Sequence, residues 1–109
     1  MTICWTEKSQ RRMEGIYSFI SHVNERAAVE TYNAILDKAE LLSSFPQIAR
    51  IEPLLVGASK QFRALLVKKL YKVIYYIEGE TIYIATVWDC RRNPVALVTE
   101  VEEDGLGTL

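Results

Sequence analysis

Two cysteines, three prolines, five glycines and a single histidine are all that 109 residues provide of the types on which small special-purpose folds depend. Cys4 and Cys90 cannot form the framework of paired thiols that staples small secreted domains. Both read as small, half-buried hydrophobes. His22 and two unclustered thiols have no ligand spacing, so no metal is expected. The glycines are isolated apart from Gly105 and Gly107, and no phosphate-cradling loop can be built from them. None of the serines has the Gly-x-Ser-x-Gly setting of an exposed nucleophile. Hydrolase, kinase and dinucleotide chemistries are excluded on these grounds, and no cofactor is expected. No apolar run is long enough to cross a bilayer, and the first residues lack a basic segment followed by an apolar one. A cytoplasmic protein with no membrane role is the expectation.

A charge excess of one sign is also lacking, since the formal net charge is −1. The balance hides an asymmetry. Residues 57–94 carry seven basic side chains against three acids, a local charge of +4. Residues 95–109 carry four acids and no base, a local charge of −4. A globally basic nucleic-acid binder is not indicated, but a local basic surface is.

What the sequence has in quantity is clean periodicity. Thr6 suits a helix N-cap with Glu7 in the first turn. Met13, Ile16, Tyr17, Ile20 and Val23 then follow at spacings of three and four, predicting an amphipathic helix over about 6–23. Asn24 caps a second helix with the stripe Ala28, Tyr32, Ile35, Leu36, Ala39 and Leu42, ended by Phe45-Pro46. The link is so short that the two helices must pack antiparallel. Beyond residue 61 the period becomes two. Strands are predicted around 62–67, 71–77 and 82–88, joined by tight turns at Lys68-Lys69 and at Glu78-Gly79-Glu80. Residues 2–5 can supply a further short strand. The expectation is an α+β fold of one domain over 1–97, a helical hairpin on one face of an antiparallel sheet, with a flexible acidic tail over 98–109.

The stretch 84–94, Ile-Ala-Thr-Val-Trp-Asp-Cys-Arg-Arg-Asn-Pro, carries the functional question. Pro94 cannot donate to a ladder, so Arg91 and Arg92 stand at the strand exit. Arg63 and Lys72 interrupt apolar strands and come within two residues of register across the Lys68-Lys69 turn. An anion-binding patch of Arg63, Lys72, Arg91 and Arg92 is one reading; a solvated sheet face with the arginines paired to Asp89 or to tail carboxylates is the other. Trp88 shares the alternation of Ile84 and is read as buried, at a rim that still allows binding. Most tyrosines are read as packing rather than base-stacking residues, and His22 as a surface or capping residue.

The order of these signals resembles one family. Ile16-Tyr17-x-x-Ile20 in the first helix, Ala28-x-x-x-Tyr32 in the second, Phe45-Pro46, "FRALLVKKLYKVIYYI" and "TIYIATVWDCRRNP" are similar to the RelE/ParE superfamily of toxins from bacterial type II toxin–antitoxin, or plasmid stabilisation, systems. The resemblance runs over about residues 4–97. It implies a two-helix hairpin on a curved antiparallel sheet of three to four strands. It also implies growth inhibition, and neutralisation by a cognate antitoxin that covers apolar and basic surface. Two targets occur in the family, DNA gyrase and mRNA on the ribosome. In the nuclease branch, basic residues of the strands and an arginine beyond the last strand do the work. By position these are Arg63, Lys72 and Arg91 or Arg92. That branch also commonly carries a C-terminal tyrosine or histidine, which has no counterpart after Pro94. Arginines stabilise charge but supply no base or acid. A near-neutral chain also fits poorly with docking on ribosomal RNA. The resemblance therefore implies a gyrase-type inhibitor first, a ribosome-dependent mRNA endonuclease second, and a non-toxic relative that keeps antitoxin binding third. The expected binding set is Arg63, Lys72, Trp88, Asp89, Arg91 and Arg92, with acids 100–104 as a possible shield over it.

Overall fold

A computed structural model describes residues 1–107, with side chains through Glu102. Strand β1 (Thr2–Trp5) leads into helix α1 (Glu7–Ser21) and helix α2 (Glu25–Ser44). Short strand β2 (Arg50–Ile51) and a 3₁₀ turn (Pro53–Leu55) follow, then β3 (Arg63–Val67), β4 (Tyr71–Glu78), β5 (Thr81–Asp89) and helix α3 (Ala96–Gly107). Both helix starts are capped as the sequence requires. Thr6 Oγ1 accepts from the Ser9 N–H and Asn24 Oδ1 from the Ala27 N–H. Among the described residues no helix is long and apolar enough to cross a membrane.

The sheet has five strands in the order β1-β5-β4-β3-β2, which is more than the three to four expected. It is mixed. β1 runs parallel to β5, with Thr2 beside Thr81 and Trp5 beside Ile84, while the other pairs are antiparallel. The reason is topological: the helical hairpin separates β1 from the meander, so no tight turn forces an antiparallel return.

Both faces of the sheet are covered, which corrects the expectation of one open face. On the first, α1 and α2 pack Met13, Ile35 and Leu42 against Leu65, Val73, Tyr75, Ile82, Ile84 and Val87. On the second, the 3₁₀ turn and α3 bring Leu55, Leu97 and Val101 onto Phe62, Ile74, Ala85 and Trp88. Leu97 is fully buried. The segment read as a flexible tail thus begins as a docked helix; residues 108–109 lie outside the described residues.

A β-bulge redistributes β5. Ile74 pairs with Thr86 but the next residue, Tyr75, pairs with Ile84, so Ala85 is an extra residue. The strand therefore changes parity. Ile82 and Ile84 face the helical hairpin, yet Trp88 faces α3 and Val87 takes the hairpin side. Trp88 is buried as expected, but on the face opposite to Ile84.

The three-residue turn between β3 and β4, Lys68-Lys69-Leu70, is also unusual. Lys68 and Lys69 both adopt positive φ, 55° and 57°. That is the hairpin conformation usually given to Asn-Gly, and each lysine adopts it at the cost of Cβ crowding.

Candidate functional site

The expected patch does not assemble. Arg63 pairs with Tyr75 in the β3–β4 ladder, whereas Lys72 pairs with Leu66. The offset of three residues puts Arg63 on the face of the helical hairpin and Lys72 on the face of α3. Arg63 Nη1 donates to the Ala49 carbonyl at 2.7 Å, closing the loop behind α2. Lys72 is ion-paired to Glu52, whose carboxylate is 2% exposed and also accepts the Leu54 N–H at 3.2 Å. Glu52 is the N-cap of the 3₁₀ turn, with Pro53 after it. Sequence reasoning passed over it, although Glu-Pro-Leu-Leu is a helix-start signal.

At the exit of β5 the residues do gather. Arg91 forks onto Asp89, with Nε to Oδ1 at 3.0 Å and Nη2 to Oδ2 at 2.7 Å. These hydrogen bonds from Arg91 hold the Asp89 carboxyl below the usual carboxylate range. The Arg92 guanidinium lies 4.4 Å from the centre of the Trp88 ring. Cys90 donates its N–H to the Leu70 carbonyl at 2.8 Å, which sets the Lys68-Lys69 turn beside this exit. Cys90 and Cys4 are both exposed, not half-buried. Burial of part of its surface nonetheless raises the Cys90 thiol above its ordinary value.

Helix α1 completes this end of the molecule. Arg11, Arg12, Ile16 and Phe19 face Tyr71, Val87, Asp89, Arg91 and Arg92 across a cleft of about 200 Å³. Phe19 is 73% exposed at its rim. Of these α1 residues the sequence singled out only Ile16, and only as part of the apolar stripe. The signal for the others was present, because 12 and 19 lie four and three residues from Ile16 and share its side of the helix.

Of the acids proposed as a shield, Glu100 and Glu102 lie elsewhere. Glu100 is 5% exposed and ties α3 to α1 and β5. It accepts Arg12 Nε at 2.8 Å and Nη2 at 2.9 Å, and the Thr86 hydroxyl at 2.6 Å. Lys8, itself buried, donates to the Glu100 carbonyl at 2.6 Å. Burial alone would raise the Glu100 pKa, but the Arg12 and Thr86 hydrogen bonds and the Arg12 and Lys8 charges outweigh it and hold it at about 2. Glu102 accepts the Ser59 N–H at 3.1 Å. The side chains of Glu103 and Asp104 lie outside the described residues.

A family model described as the ParE toxin of the type II toxin–antitoxin system parDE matches residues 3–94. Among solved structures, a chain from a chromosomal ParDE TA system from P. aeruginosa superposes with a TM-score of 0.67 at 16% identity. The match covers 82% of this chain and 95% of the other, and it shows the fold. No match is found among curated proteins.

Proposed function

We propose, from the premise that the chain belongs to the ParE toxin family of type II toxin–antitoxin systems, that it arrests growth by binding and inhibiting a protein target of the DNA gyrase kind, and that a cognate antitoxin neutralises it. The observation that carries the choice of mechanism is the dispersal of the cations. A ribosome-dependent nuclease needs Arg63, Lys72 and an arginine beyond the last strand around one phosphate. Here Arg63 and Lys72 point to opposite faces, Lys72 is neutralised by Glu52 and Arg91 by Asp89. Such groups build interfaces and ion pairs; they do not converge on one developing charge. Exposed apolar side chains on the hairpin, Phe19, Val23, Leu41 and Phe45, offer the kind of surface that a protein partner covers.

The test is inducible expression without a partner, read three ways. Growth is expected to stop, purified gyrase to lose supercoiling activity on addition of the protein, and mRNA to stay intact. Arg63→Ala combined with Arg91→Ala is expected to leave the arrest in place. Codon-specific mRNA cleavage abolished by that double substitution would instead establish the nuclease reading. Normal growth would refute toxicity.

A further inference from the structure

The cleft between α1 and the exit of β5 has a lining with its own chemistry. Its floor is apolar: Ile16, Tyr71 and Val87, the last two nearly fully buried. Its border is cationic. Arg11, Arg12, Arg91 and Arg92 line it, and Lys68 and Lys69 stand in the adjoining turn. Among the described residues, Glu7, Glu100 and Asp89 pair with Arg11, Arg12 and Arg91, while Arg92, Lys68 and Lys69 form no ion pair. A chain of net charge −1 thus gathers three cations beyond those ion pairs at one end. The strained Lys68-Lys69 turn keeps two lysines where Asn-Gly would be more stable.

Gly15 is the second observation. It lies within α1 on the cleft side, where glycine costs a helix roughly 0.5–1 kcal/mol relative to alanine. An added Cβ there would meet nothing within 4 Å, so packing does not demand the glycine. What its smallness does is keep the cleft open.

We propose that this cleft docks an acidic segment of a partner protein, with one aliphatic or aromatic side chain inserted onto the Ile16–Val87 floor and carboxylates placed on Arg92, Arg11 and the turn lysines. Charge complementarity fixes the acidic character of the segment. The volume, about 200 Å³, is below the roughly 300–1,000 Å³ typical of small-molecule pockets and suits a single anchoring side chain. An apolar floor beneath an exposed Phe19 adds affinity for a peptide and little for a phosphate backbone. The proposal rests on the reading above only in taking the partner to be a protein.

The probe is a fluorescein-labelled peptide of glutamate and serine around one central leucine. Anisotropy gives its affinity, and amide NMR shifts map its position on the intact chain. Binding is expected to perturb Ile16, Phe19 and Val87, and to weaken at least about tenfold when the peptide leucine becomes serine. It should also weaken when salt is raised to about 1 M, where the Debye length is ~3 Å. Gly15→Leu is expected to fill the cleft and weaken binding about tenfold while holding or raising Tm, because a better helix former replaces glycine. Arg92→Glu should weaken binding without altering the fold. No peptide binding at millimolar concentration, binding indifferent to the leucine or to Gly15→Leu, or equal competition by a short DNA duplex would each overturn the proposal. None of these measurements reads growth, so a failure of docking and a failure of toxicity are separately visible.

Discussion

Glu100→Gln is the sharpest perturbation of this fold, because one carboxylate joins three elements. The substitution keeps the size of the side chain and removes its charge. Arg12 and Lys8 then lose the carboxylate they face, with Lys8 buried. The depressed pKa sets the magnitude. A fall from 4.5 in the unfolded chain to about 2 in the folded one corresponds to about 3 kcal/mol at neutral pH. The figure lies within the range of roughly 3–5 kcal/mol for breaking a buried pair from one side. For a domain of this size that lowers Tm by roughly 12–24 °C. The direction with pH follows from the same shift. Because the folded pKa is depressed, the contribution is complete above the unfolded value of 4.5 and disappears as pH falls toward 2. Urea unfolding of the native protein and the variant, at several values between pH 7 and pH 2, reads both features. The native protein should lose about 3 kcal/mol more than the variant across that acid range. A variant within about 1 kcal/mol of the native protein at pH 7, or one with the same acid slope, would refute the account of Glu100 as the clamp on α3.

Two further perturbations test the same reasoning at other places. Lys72→Met leaves the buried Glu52 carboxylate without its cation and should cost about 3 kcal/mol, while adding Glu52→Gln should recover most of it; urea midpoints measure both. Lys68→Asn with Lys69→Gly fits the positive-φ turn and should raise stability by roughly 1 kcal/mol in thermal unfolding, and a loss would mean the lysines make stabilising contacts of their own.

Much of the fold was legible in the sequence because its determinants are local. Thr6 and Asn24 start the two helices by satisfying N–H groups within their own first turns. Phe45-Pro46 follows α2, and the change of apolar spacing from 3.6 to 2 marks the passage to strands. The candidate site was less legible. Arg91 and Arg92 do stand at the strand exit, and Asp89 does pair with Arg91, but Lys72 and Arg63 part to opposite faces. The register is offset by three residues, an odd number, and alternation turns any odd offset into a change of face. The bulge at Ala85 then moves Trp88 away from Ile84. No propensity marks that position, because alanine is common in any element. The docking of α3 was hidden for a different reason. Residues 96–107 carry a weak apolar pattern among acids, and the burial of Leu97 and Val101 depends on a surface made by three other segments.

By itself, then, the sequence determined where helices and strands begin, that the hairpin closes on itself, and which family the chain resembles, since capping, periodicity and turn chemistry act over a few residues. Only the tertiary structure decided that β1 lies parallel to β5, that the acidic segment becomes a third helix on the second face, and which carboxylates pair with Arg12, Lys72 and Arg91. Those outcomes depend on contacts between residues 20 to more than 80 positions apart, such as Lys72 with Glu52 and Arg12 with Glu100, where the strength of an ion pair is set by burial that no local pattern encodes.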